Sequence, residues 1–255
     1  MDEFNIFLKS RNGYSIDGTP AQVQYDFSNH PYIIDQSDVY LLGVNSACIK
    51  VTWYNVNTYN NLLKLSGVTY TIPPSNYNVY TLATVLTSML TALNITVTYD
   101  DIDNNYTLTS TTVDFNISSE STCDELLGLD FTLNNILYST SKSLEGALIA
   151  DLSYTTVVNV TSPELINENI DTFSISAASD ILESIEVTVN SLGIIYYKGT
   201  TYTQIFKKVI DRFTIILKDE NNRVLDMRGG WYTMKLNFKV IPDPRIKQVM
   251  NYADF

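Results

Sequence analysis

The sequence lacks the residues on which most enzyme chemistry depends. Of its 255 residues one is histidine, His30, and two are cysteine, Cys48 and Cys123. A Ser-His-Asp triad would have only His30 as its base, and no nucleophile elbow accompanies it. Zinc sites need paired His or Cys ligands, which these residues do not supply. We therefore expect no catalytic activity, no metal and no cofactor, and we expect His30 in a turn or at an interface.

Charge is also scarce, and negative charge dominates. Charged residues make up 17% of the chain, and the formal net charge is −12, against a charged fraction of about 25% in typical soluble domains. Binding to phosphates requires clustered lysine and arginine. Two sites approach such a cluster, namely Lys207, Lys208 and Arg212, and further along Arg245 and Lys247. Both lie among acidic or apolar neighbours, so we expect no specific nucleic-acid partner.

Long apolar runs and a secretory signal are missing as well. No stretch approaches the roughly 18 apolar residues of a membrane-spanning helix, so we expect no stable membrane insertion. The first residues, MDEFNIFLKSRN, are acidic, with no basic stretch before an apolar run, so we expect no signal peptide. The two cysteines are therefore interpreted as buried free thiols in a reducing compartment, with a single disulfide as the alternative.

One acidic stretch resembles the start of a calcium loop. Asp101, Asp103 and Asn105 have the required alternation. However, Tyr106 stands where the loop needs glycine, and Thr112 stands where it needs a bidentate glutamate. We interpret the stretch as a solvated hairpin turn.

Polarity is carried by Asn, Thr, Ser and Tyr instead of charge. Threonine and tyrosine suit strands, whereas asparagine and serine suit turns. The 18 tyrosines against 2 tryptophans also favour assembly, because tyrosine is enriched at protein interfaces. An AT-rich coding sequence would raise the content of Asn, Tyr and Ile too, and both explanations stay open.

The apolar pattern predicts about eight to ten strands, one amphipathic helix and no βαβ alternation, which is typical of a single β-sandwich. The strands are predicted at 39–56 with a bulge at 43–46, at 62–72, in a hairpin over 95–109, and at 113–117, 155–161, 183–189, 209–217 and 231–241. The helix has an apolar stripe from Leu82 to Leu93, with Thr81 placed to cap its start. A short helical turn is predicted at 124–127, ended by Gly128.

Residues 1–36 read as an extended N-terminal arm, and residues 37–255 as the sandwich domain. The arm contains two short extended pieces that cannot bury themselves alone. It must therefore lie along a sheet, either of its own subunit or of a neighbour. Its aromatic and apolar residues are the predicted assembly interface: Phe4, Ile6, Leu8, Tyr14, Tyr25, Phe27 and Tyr32.

The order of these segments resembles the penton, or minor capsid, proteins of virophages and Polinton-like viruses, in the double-jelly-roll capsid lineage. The resemblance spans nearly the whole chain. It is carried by residues 4–10 (FNIFLKS), 25–27 (YDF), 39–44 (VYLLGV), 80–82 (YTL), 95–100 (ITVTYD), 126–131 (LLGLDF), 211–219 (DRFTIILKD) and 231–238 (WYTMKLNF). Lys9 departs from the common pattern, which has a proline at this position.

The resemblance implies an all-β fold, a single jelly-roll β-sandwich. It further implies a viral capsid structural protein that forms homopentamers at the icosahedral vertices and contacts the major capsid protein. Its place would be the virion, after synthesis in the host cytoplasm or a viral factory. The alternative is a receptor- or carbohydrate-binding β-sandwich module on a virion or cell surface, because jelly rolls and Tyr-rich surfaces also serve lectins. A hydrolase is disfavoured by the missing histidines.

Overall fold

The computed structural model describes residues 2–33, 38–153, 155–166, 169–170, 178–205 and 209–242. The chain divides into two compact units. We call residues 1–53 together with 155–255 the sandwich unit, and residues 54–154 the central unit. The predicted boundary between residues 36 and 37 lies outside the described residues and stays a prediction, and Lys207, Lys208, Arg245 and Lys247 lie outside them too.

The described residues form strands throughout and two α-helices. Before the central unit lie β1 (Asp2–Lys9), β2 (Tyr14–Ser15), β3 (Gln22–Asp26), β4 (Tyr32–Ile33) and β5 (Asp38–Lys50). The central unit contains β6 (Leu62–Leu65), β7 (Val68–Thr71), α1 (Val79–Met89), β8 (Ile95–Asp100), β9 (Asn105–Ser110), β10 (Asn116–Ser118), α2 (Asp124–Leu127), β11 (Ile136–Tyr138) and β12 (Ser143–Glu145). After it come β13 (Val157–Thr161), β14 (Asn169–Ile170), β15 (Ala178–Ser179), β16 (Ile181–Glu186), β17 (Ile194–Lys198), β18 (Thr203–Ile205), β19 (Val209–Ile210), β20 (Arg212–Lys218) and β21 (Tyr232–Pro242).

The sandwich unit contains two large antiparallel sheets. The first has the order β1-β21-β5-β17, with β18 also pairing with β5, and the second has the order β16-β13-β20-β3-β2. Alternate residues of both sheets are buried, among them Leu236 and Phe238 in the first and Val23 and Phe213 in the second. The hydroxyl groups of Tyr25 in β3 and Tyr232 in β21 lie 3.1 Å apart, so the two buried faces meet. The prediction of a β-sandwich is confirmed.

The predicted arm pairs within its own chain. All eight residues of β1 pair with β21, and β3 pairs with β20 over five residues. The arm therefore contributes an edge strand to the first sheet and an inner strand to the second.

The long strand predicted at 39–56 is β5, and it carries the predicted bulge. Val44 lies opposite Leu236 and Ser46 lies opposite Lys235, so Asn45 is an extra residue on β5. Such a bulge shifts the alternation of inward and outward side chains by one position. The strand ends at Lys50, six residues before the predicted end.

The central unit has its own core, formed by α1 and two small sheets. The sheets have the orders β11-β10-β6-β7 and β12-β9-β8. Leu82, Leu86 and Leu90 of the predicted apolar stripe are fully buried, in one cluster with Tyr106 and Leu108 of β9. The predicted hairpin is β8–β9, and the predicted helical turn is α2, which ends at Gly128 with a φ of 67°.

Two local predictions in the central unit are wrong. The strand predicted at 62–72 is a hairpin, because Ser66 and Gly67 both adopt positive φ and reverse the chain between β6 and β7. The helix cap is Asn78, whose side chain accepts hydrogen bonds from the N–H groups of Tyr80 and Thr81. Thr81 is the third helical residue, and its hydroxyl accepts from the N–H of Asn78 in a capping box.

Asparagine side chains fix the loops of the central unit. The amide of Asn55 donates to the carbonyl of Tyr77 at 2.8 Å and accepts from the N–H of Tyr77 at 2.9 Å. Asn60 donates to the Asn55 carbonyl at 2.8 Å, and the buried Asn61 donates to the Ile72 carbonyl at 2.9 Å. Much of the asparagine content therefore has a structural role, as expected for residues that mimic backbone groups in turns.

Candidate assembly interface

Phe4 and Tyr32 of the predicted interface form an aromatic stack on the first sheet. The Phe4 ring lies parallel to the buried Phe238 ring, with centroids 4.7 Å apart. The Tyr32 ring is tilted by 30° against the Phe4 ring with centroids 4.0 Å apart, and Tyr32 is 38% exposed. The stack therefore begins in the core and ends at the surface.

Leu8 and Tyr25 belong to the chain's own core. Leu8 is 2% exposed and Tyr25 is 6% exposed. Burial raises the pKa of Tyr25 to about 12, an effect that the hydrogen bond with Tyr232 partly offsets. Burial also raises the pKa of Tyr232, so both tyrosine hydroxyls stay protonated near neutral pH. Leu8 and Tyr25 are covered by their own chain, and neither side chain is available to a neighbouring subunit in this conformation.

The remaining predicted residues differ in exposure. Ile6 is half-buried opposite Leu236, and Phe27 is half-buried against the Phe213 ring at 5.7 Å. Tyr14, on the edge strand β2 of the second sheet, is 74% exposed. Of the seven predicted residues, Tyr14 and Tyr32 thus expose the most side-chain surface to a neighbouring subunit. The interface role of the seven residues stays a prediction.

His30 lies in an exposed turn, as predicted. Its N–H donates to the Phe27 carbonyl at 2.8 Å. Across the described ranges, no three His, Cys, Asp or Glu side chains come together in a way that could hold a metal ion. Within the same residues, no helix has the length and apolar character needed to cross a membrane.

Sequence reasoning missed a basic surface on the outer side of the first sheet. The pairing register places five lysines at outward positions of four strands, and we call this surface the lysine face: Lys9, Lys50, Lys198, Lys235 and Lys239. No two of them are adjacent in sequence, so a search for basic runs does not find them. The available signal was the alternation in residues 232–242, which puts both lysines of β21 on the side opposite the apolar residues.

Exposed aromatic rings lie among these lysines. One row of the sheet contains Phe7, Lys235 and Lys198, and Phe7 is 73% exposed. The next row contains Lys9 and Tyr196, which is 76% exposed. Large aromatic residues are enriched in protein interfaces, whose rims are polar.

The central unit contains an open cavity of about 560 Å³ on β11, β12 and the preceding loop. Tyr138, Asp130 and Glu145 are among its lining residues. The N–H and hydroxyl of Thr132 donate to the Asp130 carboxylate and hold its pKa below the ordinary value. The Tyr138 side chain is 70% exposed.

The two cysteines differ in accessibility, and we expect different reactivity. Both are free thiols; Cys123 is buried as predicted, but Cys48 is only half-buried, because it is an outward residue of β5. Burial, reinforced by the charge of Asp124, raises the pKa of Cys123 to about 12.

In the native protein at pH 8, a thiol reagent should therefore modify Cys48 and leave Cys123 intact until denaturant is added. A Cys48→Ser variant should show no reaction, and rapid reaction of that native variant would contradict the burial.

Two antiparallel sheets whose buried sides meet define a β-sandwich domain. The chain is similar to the mavirus penton protein, whose crystal structure it matches with a TM-score of 0.56. The match covers 94% of this chain and all of that chain at 11% sequence identity, so it shows the fold. The resemblance to virophage penton proteins is thus confirmed at the level of the fold, and so is the jelly roll. No family model matches the sequence. No curated protein matches it either.

Proposed function

We propose that this chain is a capsid structural protein, a minor capsid or penton subunit that forms homopentamers at the icosahedral vertices of a virion. The observation that carries the proposal is the structural match to the mavirus penton protein, which extends over the full length of that protein. The role is structural and not enzymatic. The proposed partners are further copies of the chain and the major capsid protein.

The surface chemistry supports self-assembly. Exposed aromatic residues occur on the outer sides of both sheets, with Phe7 and Tyr196 on the first and Tyr14 on the second. A closed ring needs two different surfaces of one chain that are complementary to each other. A subunit with contact residues on both outer sides meets this requirement.

The test is the mass of the purified full chain, measured alone and after mixing with the major capsid protein. Five copies of a 28.8 kDa chain give about 144 kDa, and labelled chain should appear at the vertices of particles in electron micrographs. A chain that stays monomeric at every concentration and never enters particles would contradict the proposal.

A second candidate is a receptor- or carbohydrate-binding module, which the cavity beside Tyr138 favours. The same sample separates the two, because this candidate predicts a monomer or trimer that binds glycans. Specific glycan binding without particle incorporation would favour it over the capsid role.

A further inference from the structure

The lysine face carries an unbalanced positive charge in an acidic protein. The chain has a net charge of −12. The outward positions of the described strands β1, β5, β17 and β21 nevertheless contain five lysines and only one carboxylate, that of Glu3. Glu3 is engaged by the side-chain amide of Asn237, which donates to it at 2.6 Å. The positive charge is therefore not neutralised within this face.

None of the five lysines has an ion-pair partner among the described residues. By contrast, the two basic residues on the outer side of the second sheet are both paired, Arg212 with Asp26 at 3.0 Å and Lys218 with Asp180 at 3.2 Å. Lys235 and Lys198 lie two strands apart in one row, a separation of roughly 10 Å, at which like charges still repel. An anionic partner outside the chain would relieve this repulsion.

Several of the lysine ammonium groups are held in place. The Lys235 ammonium lies over the Phe7 ring, 5.6 Å from its centroid, and that of Lys239 lies 3.9 Å from the Tyr202 ring centroid. Lys50 donates to the carbonyl of Leu192. Groups that are already ordered lose less entropy when a partner binds, so this face is suited to a defined contact.

The outer side of the second sheet carries the opposite charge. We call this surface the acidic face, and its carboxylates, exposed or half-buried on or beside the sheet, are Asp26, Glu164, Asp180 and Glu186. They outnumber Arg212 and Lys218, and Tyr14 lies exposed at the edge of the same sheet. The sandwich unit thus has a basic outer face with exposed Phe7 and Tyr196, and an acidic outer face with exposed Tyr14.

We propose that the lysine face of one copy docks on the acidic face of the next copy. This rests on the proposed self-assembly and specifies which two surfaces meet. A head-to-tail ring requires two complementary surfaces on one chain, and these two faces are such a pair. A polyanion such as nucleic acid fits less well, because the described outward positions contain no arginine, the residue best suited to grip phosphates, and the acidic chain repels it.

The test is a charge exchange between the faces, read out as the mass of the full-length protein. One variant reverses the lysine face (Lys9→Glu, Lys198→Glu and Lys235→Glu), which leaves two lysines against four carboxylates. A second reverses the acidic face (Asp26→Lys with Glu186→Lys), and a third carries all five changes. Each face variant should assemble at least about tenfold more weakly, because like charges then oppose each other. The five-fold variant should recover assembly. A control, Lys64→Glu with Lys142→Glu, adds negative charge in the central unit instead, removes the surface ion pair of Lys64 with Glu120, and should assemble as the native chain does.

Salt and DNA provide the opposing outcomes. Assembly of the native chain should weaken between about 0.1 M and 1 M salt, as the screening length falls from about 10 Å to about 3 Å. If pentamers form equally well at low and high salt and in both face variants, the docking inference is wrong, while the penton proposal stays intact. A native chain that never assembles would instead remove the proposed function and this inference together. If the native chain binds a short DNA duplex, and the lysine-face variant loses this binding but still assembles normally, the lysine face binds nucleic acid and the docking inference is wrong.

Discussion

Replacing Asp219 with alanine is expected to lower the free energy of unfolding by about 3 kcal/mol, the lower end of the range for removal of one partner from a buried ion pair, because Arg223 stays 29% exposed. The Asp219 side chain is 1% exposed, and its carboxylate accepts from the Arg223 guanidinium at 2.7 Å. It also accepts from the N–H groups of Asn221 at 2.9 Å and Arg223 at 2.8 Å. Chemical denaturation monitored by fluorescence measures the loss.

The effect is large because one carboxylate closes the turn after β20. The turn contains no glycine, and backbone hydrogen bonds hold it together with the carboxylate. The Asp219 N–H donates to the Arg223 carbonyl, and the Asn222 N–H donates to the Asp219 carbonyl. Without the carboxylate, two backbone N–H groups and a guanidinium that is 29% exposed lose their acceptor, and each such loss costs free energy.

Asp226 provides the matched control, because it forms a similar pair at the surface. Its carboxylate is 71% exposed and lies 3.7 Å from Arg228. Asp226→Ala should therefore change stability by less than about 1 kcal/mol. Asp219→Asn, which keeps an acceptor oxygen, should fall between the two alanine variants. Equal stabilities of Asp219→Ala and Asp226→Ala would show that burial of the pair contributes nothing.

Features that depend on neighbouring residues could be predicted from the sequence. The β8–β9 hairpin, the α2 turn and the β5 bulge are each encoded within about a dozen residues, by alternating apolar positions next to residues suited to turns. The helix was predicted for the same reason, although its cap was misplaced by one turn. Asn78 was overlooked because Thr81, at the third helical position, belongs to the same capping box.

Features that depend on strand order could not be predicted. The lysine face joins β1 with β21, which lie at opposite ends of the chain, and its lysines become neighbours only through the register. The central unit was not separated either. The chain enters it after Trp53 and leaves it before Thr155 without a linker or a change in composition.

Alternation in β1 predicts which side of the strand is apolar, but not what covers that side. Phe4, Ile6 and Leu8 form the apolar side and are predicted to contact a neighbour; the structure turns them towards the core of their own chain, where Leu8 is 2% exposed. The other side carries polar residues beside Phe7, which is 73% exposed. Only the pairing of β1 with β21 decides that the apolar side packs within the chain.

The inward and outward aromatic residues of the first sheet should therefore separate stability from assembly. Phe238→Ala is expected to lower the free energy of unfolding by about 3–5 kcal/mol, because a fully buried ring is lost and a cavity remains. Phe238 is completely buried and stacks on Phe4 with an interplanar angle of 6°. The loss should appear as a shift of the denaturation midpoint.

Phe7→Ala is the matched control, the same substitution on the outward side of the strand that pairs with β21. It should leave stability within about 0.5 kcal/mol of the native value. If the lysine face forms the contact between copies, Phe7→Ala should instead weaken assembly, because an exposed ring beside Lys235 is the kind of anchor that interfaces bury. A Phe7→Ala chain that assembles like the native protein would argue against docking through this part of the face. A Phe238→Ala chain of native stability would contradict the burial of the sheet's inner side.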